Sequence, residues 1–306
     1  MQEGLTIVVP VHNSKQLIEH TLNSIVAGTQ RPQALIVVDN GSDDGTLDVC
    51  RRWQTAHSET GVEITVMVEP RAGAAIARNT GLKATRTKWV YFFDSDDDFD
   101  PDFIRDVMAG LQNHEQSGNE ADIVFIPSRM EVNSTVKTRA YRHQIEPSVQ
   151  ILSAMLATQT MLFQTPWLRE IGGWDERLTT WDDWELGVRV AQHAPKVMWM
   201  TARGYHLIHV HPDSLTGSSY SARNEAILKA LQQVKVDVAH DEKALRALYL
   251  RTQIVCGTLT KEGTDDTAFR ALAQELMPNR WTRGLGALLR HYTRMGGRGA
   301  WRMAVR

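Results

Sequence analysis

The chain has 306 residues, 42% of them hydrophobic and 23% charged, enough for one large core or a core with an appendage. That composition excludes disordered, collagen-like and disulfide-rich classes, and the two cysteines, Cys50 and Cys256, make no cysteine framework and read as core thiols. The net charge is −2, yet positions 279–306 hold seven arginines and no Asp, Glu or Lys, so without them it falls to −9 and the tail points to an anionic partner.

In chain order, no secretory signal opens the sequence, and no apolar run reaches the ~20 residues that cross a bilayer, so a cytoplasmic location is expected. Residues 5–11 (LTIVVPV) and 34–38 (ALIVV) are β-branched runs without alternation, as expected of strands buried on both faces of a parallel sheet. Between them Leu17, Ile18, Leu22, Ile25 and Val26 recur at helical spacing, which predicts a helix over 14–26 capped by Asn13 or Ser14. A helix at 46–57, a strand at 63–68, a helix at 74–84 and a strand at 89–93 continue the alternation and predict an α/β domain around a mainly parallel sheet. A strand at 122–127, a helix at 148–157 and a tryptophan-rich stretch at 167–184 follow. From Ser221 onward the apolar spacing is helical.

A boundary near 217–221 divides the chain into a domain over 1–216 and a helical C-terminal region over 217–306. Within the first, the strand–helix alternation is regular over about 1–127 and weakens over 128–216. At the end, Trp281, Leu285, Leu288, Leu289, Tyr292 and Met295 fall at helical spacing opposite Arg283, Arg290 and Arg294. One reading is a basic amphipathic helix on an anionic membrane surface; the other is a stripe packed on the protein's own core. Gly284, Gly286, Gly296, Gly297 and Gly299 weaken such a helix.

Ligands of parallel α/β sheets sit beyond the carboxyl ends of the strands, and every such end here is polar. Asp94-Ser95-Asp96 directly follows the apolar run 90–93. Side chains two apart on a strand point the same way, so the two carboxylates are expected to face one point, where they either repel, raising one pKa, or share a hard cation, Mg²⁺ or Mn²⁺, that can bridge diphosphate oxygens. Asp98 or Asp100 is left to cap a helix starting near Pro101. In 37–46 the Asn, Gly, Ser and Asp residues make a turn and a cap, whereas Asp39 at the strand terminus can accept hydrogen bonds from a nucleobase or ribose. Arg71 can reach phosphate or base, or stay solvated; Arg78, mid-helix, reads as a structural ion-pair partner.

The segments VVPVHNSKQLIEHTLNSI, IVVDNGSDDGT, RAGAAIARNTGL and YFFDSDDDF, in that order and spacing, resemble the family 2 glycosyltransferases over roughly residues 5–215. The resemblance implies a GT-A type nucleotide-diphospho-sugar transferase fold. It also implies a donor pocket of Pro10, His12, Asn13, Asp39, Arg71 and Asp94, with Ser95 beside it and Asp96 on the metal. Two positions depart from the pattern: His12 stands where many relatives carry Tyr, and Asn40 where they carry an acidic residue. His12 can stack on a base or simply bond to backbone.

On the acceptor side, Asp182 and Asp183 map onto the family's acidic pair after the glycine-rich turn at Gly172-Gly173, and Asp183 is implied as the base. Asp182 also reads as a helix cap. His211 is implied at the metal or diphosphate, a structural histidine being the other reading. Trp181 and Trp184 read either as stacking platforms for a sugar or as core.

The implied activity is an inverting, non-processive, metal-dependent transfer from a nucleotide sugar, expected to be a UDP-sugar, to a hydroxyl of a glycan or lipid-linked acceptor. Cell-surface glycan synthesis at the inner membrane face is the expected setting, with no nucleic-acid partner. A sugar-nucleotide nucleotidyltransferase would open with a glycine-rich loop after the first strand, and a nicotinamide dehydrogenase with G-x-G-x-x-G; neither is present. A non-catalytic nucleotide-sugar-binding protein would need neither Asp96 nor Asp183.

Overall fold

A computed structural model describes residues 1–126, 128–132, 135–138, 143–200, 205–209, 219–276 and 278–304 of the chain. Residues 1–141, 158–176 and 195–211 make one unit, and residues 142–157, 177–194 and 212–306 make a second.

In the first unit the apolar runs without alternation become strands covered on both faces. β1 (Gln2–Val11), β2 (Ala34–Asp39), β3 (Glu63–Val68) and β4 (Thr87–Phe92) alternate with α1 (Ile18–Val26), α2 (Thr46–Ala56) and α3 (Ala74–Ala84). Ile7, Val8 and Val9 of β1 and Leu35, Val37 and Val38 of β2 have no exposed surface, the burial a parallel strand needs. β5 (Asp98–Phe99), α4 (Phe103–Gln116), β6 (Ile123–Phe125), β7 (Ser128–Val132) and β8 (Thr135–Thr138) come next. After α5 (Pro147–Ser153), which belongs to the second unit, come β9 (Met161–Gln164) and α6 (Thr165–Glu170). α7 (Asp182–Gln192), again in the second unit, precedes β10 (Val197–Trp199) and β11 (His206–His209).

The larger sheet has the order β10-β6-β9-β4-β1-β2-β3. Only β9 runs against its neighbours, so the sheet is mainly parallel, as expected. A smaller sheet, β5-β11-β7-β8, pairs β11 antiparallel to β5 and parallel to β7.

Two helix ends differ from expectation, each because a polar side chain bonds outside the helix. α1 starts at Ile18, since Asn13 takes a left-handed φ of 49° and its side-chain oxygen accepts from the Asp43 N–H at 3.0 Å. Ser14 is likewise occupied, its hydroxyl 3.0 Å from that of Ser95. α5 stops at Ser153 because Ala154 turns left-handed and the Gln150 amide bonds both the N–H and the carbonyl of Leu156, at 2.8 and 2.9 Å.

The second unit is helical, with α8 (Asn224–Asp237), α9 (Glu242–Lys261), α10 (Thr267–Leu276), α11 (Arg280–Arg294) and α12 (Trp301–Ala304) following α5 and α7. α9 is its axis: α5, α8, α10, α11 and α12 all pack on it, around Leu231, Leu248, Val255, Phe269 and Leu289. Cys256 lies in this core and Cys50 in that of the first unit; both are free, and burial pushes both thiols up to about 12, so they serve as core thiols.

The apolar stripe of the tail divides. Leu285 and Leu289 pack on the core, whereas Trp281, Leu288, Tyr292 and Met295 stay exposed, Trp281 to 87%. α11 forms in spite of its glycines, with the Asn279 side chain capping it at 2.9 Å from the Thr282 N–H. Among the described residues no helix is long and apolar enough to cross a membrane.

Candidate active site

β1 lies between β2 and β4, so the chain order reverses there, and the loops after β1 to β4 border the crevice where ligands of such sheets bind. Asp39, at the end of β2, is 1% exposed. One of its oxygens accepts from the Ser42 N–H at 3.2 Å; the other, Oδ1, is buried with no partner among the described residues. A buried acceptor left without a donor is costly, and a ligand N–H or O–H is one way to satisfy it. After β1, His12 is exposed and its Nδ1 donates to the Asn40 carbonyl at 3.0 Å, so the backbone bond expected of it exists and still leaves the residue at the surface. Pro10 is half-buried beside it, and the Asn13 N–H donates to the Ser42 hydroxyl at 3.1 Å.

Asn40 is used up within the protein. Its amide donates to the carbonyls of Glu69 and Arg71 at 3.0 and 2.7 Å and accepts from the Gly73 N–H at 2.8 Å. The sequence showed it only as a missing acidic residue; in the fold it shapes the loop after β3. Arg71 on that loop is exposed but paired. Its guanidinium donates to Glu69 at 3.0 and 2.9 Å and to Glu176 at 2.9 Å. The two guanidinium bonds to Glu69, with the Arg71 N–H, Thr80 and the Arg71 charge, hold the Glu69 carboxyl down to about 2.

Glu176 is brought there by the glycine turn. Gly172 and Gly173 take φ values of 90° and 63°, and a Cβ on Gly173 would lie 2.5 Å from the Asn79 side-chain oxygen. Asn79 then clamps Trp174, accepting from its N–H at 3.0 Å and donating to its carbonyl at 2.8 Å. Sequence reasoning passed over Glu69, Asn79 and Glu176.

β4 ends at Phe92, and residues 94–97 form a turn closed by the Asp97 N–H on the Asp94 carbonyl at 3.3 Å. The alternation argument for Asp94 and Asp96 therefore does not apply, because the polar run leaves the strand before it reaches them. Asp94 is held by Arg78 at 3.3 Å and by the Gln159 amide. Arg78 thus has the ion-pair role expected of it. The Ser95 carbonyl accepts from the Thr21 hydroxyl at 3.0 Å, and Asp96 is half-buried at the third turn position. Asp98 pairs with His20 at 2.9 Å, and Asp100 accepts from the Asp102 N–H at 3.0 Å at the start of α4.

Beneath the turn runs a buried chain that the sequence did not reveal. His206 on β11 has no exposed surface and Asp97 is 2% exposed; His206 Nε2 lies 2.7 Å from Asp97 Oδ2. Its Nδ1 lies 2.7 Å from the Tyr91 hydroxyl, which donates to the Gln159 carbonyl at 2.7 Å. Burial first, then the Asp97 and Asp94 carboxylates, push the Tyr91 phenol well above the usual tyrosine range.

Among the described residues no group of three or more His, Cys, Asp or Glu could hold a metal ion, and His211 lies outside the described residues. Asp96 nonetheless fits a hard cation, because one carboxylate with phosphate oxygens and waters is an ordinary Mg²⁺ coordination set.

In the second unit, Asp182 and Asp183 are the first residues of α7, both half-buried, after Trp181 at a φ of 58°. The N-cap residue is Trp181, which makes no side-chain cap bond, and the helix N-terminus favours both carboxylates. Trp184 is 3% exposed and donates to the Ile151 carbonyl at 3.2 Å, so it is a core side chain and not an open stacking platform. Trp181 is half-buried, with its ring 5.1 Å from that of Trp184 and the Arg251 guanidinium 4.7 Å from its centre.

The mainly parallel sheet with polar loops at its carboxyl ends is a nucleotide-binding α/β arrangement, and its structural neighbours are GT-A glycosyltransferases such as TarS. Residues 6–171 match the profile of Glycosyl transferase family 2, and the chain belongs to that family. It is 32% identical over 169 residues to the glycosyltransferase GlyA of Streptococcus pneumoniae, a match that takes in 53% of this chain but only 23% of GlyA. The crystal structure of S. aureus TarS 1–349 superposes with a TM-score of 0.62 at 18% identity, over 99% of this chain and 89% of that one. The mannosyltransferase PcManGT of Pyrobaculum calidifontis, solved with GDP-Man and Mn²⁺, gives 0.52 at 18% identity over 95% and 85%. At these identities the two structures establish the shared fold.

Proposed function

We propose that the protein transfers a sugar from a UDP-sugar to an acceptor hydroxyl with inversion at the anomeric carbon. The observation that carries this reading is the buried oxygen of Asp39 at the end of β2, without a partner among the described residues, which a base or ribose donor would satisfy. Pro10, His12, Asn13, Asp94 and Ser95 complete the donor set, with the His12 ring available to stack. Arg71 joins it if a phosphate draws the guanidinium from Glu176. UDP is favoured because TarS of the same fold has been solved with UDP and with UDP-GlcNAc.

Asp96, with His211 by resemblance, would hold the Mn²⁺ or Mg²⁺. Such a cation, when bound, offsets the charge that grows on the departing diphosphate. Asp183 takes the proton of the acceptor hydroxyl as its oxygen attacks the anomeric carbon opposite the leaving group. One carbon–oxygen bond forms as the other breaks, so a single displacement inverts the centre. Trp181 and Asp182 are assigned to the acceptor, with Trp184 supporting Trp181 from the core. A donor half at about 1–127, an acceptor half at 128–216 and the helical region at 217–306 are the proposed division of labour.

The test is release of nucleoside diphosphate from a panel of sugar nucleotides with Mn²⁺. Asp183→Asn should keep UDP binding and lower transfer by about 10²–10⁴-fold, the usual share of a general base. Asp96→Ala should abolish turnover and weaken UDP binding in Mn²⁺. Full activity in excess EDTA, or wild-type rates for Asp183→Asn, would sink the reading.

A second reading concerns place. The exposed Trp281, Leu288, Tyr292 and Met295 and the arginines of α11 favour docking on an anionic membrane face, where a lipid-linked acceptor of cell-surface glycan synthesis would be met.

A further inference from the structure

The 94–97 turn is held from below. Three hydrogen bonds of 2.7 Å link Asp97 to His206, His206 to Tyr91 and Tyr91 to the Gln159 carbonyl, and the Gln159 amide then reaches Asp94. The chain therefore begins at the last residue of the turn and closes on its first. It is sealed from water: Tyr91 and His206 have no exposed surface, and the Phe93 ring lies 4.5 Å from that of His206. Hydrogen bonds in such surroundings fix geometry firmly, because no water can replace a lost partner.

The backbone repeats the attachment. β11 pairs with β5 through His206 opposite Phe99 and Leu207 opposite Asp98, and the Asp100 N–H donates to the Tyr205 carbonyl at 2.9 Å. β11 thereby grips the chain immediately after the turn.

We propose that His206 is a positioning residue for glycosyl transfer: through Asp97 on one side and Tyr91 and Gln159 on the other, it fixes the turn that presents Asp96 to the cation and diphosphate. The inference rests on the reading that Asp96 holds a metal. Residues that orient metal-binding carboxylates typically alter affinity or activity 10- to 100-fold when replaced.

Donor counting supplies a sharp control. The single Tyr91 proton goes to the Gln159 carbonyl, so His206 Nδ1 must donate to the Tyr91 oxygen, and a second proton must lie between Nε2 and the Asp97 carboxylate, since two bare acceptors would not meet at 2.7 Å. An asparagine at 97 can accept from a protonated Nε2 or donate its amide to an unprotonated one, and so keeps the chain closed without a carboxylate. A leucine at 206 breaks it at the centre, and Tyr91→Phe removes only the hydroxyl.

The experiment is calorimetric titration of full-length protein with UDP, with and without Mn²⁺, alongside kcat and KM. His206→Leu should lose about 10-fold or more of the gain in UDP affinity that Mn²⁺ confers, while affinity without metal stays within about twofold. Tyr91→Phe should move the same way, and decides the matter if His206→Leu does not fold. Asp97→Asn should keep most of the gain. Wild-type metal-dependent affinity in both His206→Leu and Tyr91→Phe overturns the proposal. Asp97→Asn as damaging as His206→Leu also overturns it, since the Asp97 carboxylate would then be acting as a ligand itself. If wild-type protein gains no UDP affinity from Mn²⁺, the metal reading of Asp96 fails instead.

Discussion

Asn40 donates twice and accepts once, and a carboxylate of the same shape cannot donate at all. Asn40→Asp would set an anion against the carbonyls of Glu69 and Arg71, so a loss of about 1–3 kcal/mol is expected, read from urea unfolding. Unchanged stability would mean the amide bonds contribute nothing. Glu69 on the same loop gives a pH signature. Its folded value near 2 lies below the ordinary 4.5, so its contribution is complete above 4.5 and fades as pH falls towards 2. The stability gap between wild type and Glu69→Gln should narrow over that window; a gap independent of pH would contradict the ion pair. Arg71 is 55% exposed, so solvent screens part of the pairing. Asp39 and Asp96 could be singled out from sequence because strand ends and acidic runs are local signals. Asn40, Gln159 and His206 could not, since what they bond to lies 29 to 115 positions away.

Helices and strands of the first unit were legible because their apolar spacing is a local consequence of burial, and β3 and α3 fall on the expected residues. The glycines of the tail were not. Read along the chain they weaken α11, but in the fold Gly286 faces Tyr249 of α9, and Gly257 of α9 faces α11. A Cβ on Gly257 would lie 1.9 Å from the Thr293 hydroxyl and 2.4 Å from the Arg290 carbonyl, so Gly257→Ala should cost about 1–3 kcal/mol through overpacking. A Cβ on Gly284 would meet nothing within 4 Å among the described residues, and Gly284→Ala should instead stabilise by up to about 1 kcal/mol. Thermal melts of the two variants should shift in opposite directions. A common sign would show that α9 and α11 are not as closely packed as described.

At the scale of the molecule, charge is sorted along the sequence: seven arginines follow position 278, against −9 elsewhere. If that end docks on lipid, co-sedimentation with phosphatidylserine vesicles should fall steeply with salt, since each basic residue near an anionic surface contributes about 1 kcal/mol and is screened. Replacing the exposed Trp281 and Met295 by Ser should weaken binding without unfolding the protein, because neither side chain is in the core. Intact protein that ignores such vesicles at low salt would remove the membrane from the picture.

The two units are threaded from one chain that passes between them five times, after residues 141, 157, 176, 194 and 211. Recombination between relatives therefore has no single junction at which one unit could be exchanged whole. A hybrid carrying a new second unit on this sheet would need three separate transplants, 142–157, 177–194 and 212–306, with β9, β10 and β11 left in the parent. Inheritance in this architecture should run by drift of side chains within a fixed weave, and one-point chimaeras of such chains should come out insoluble.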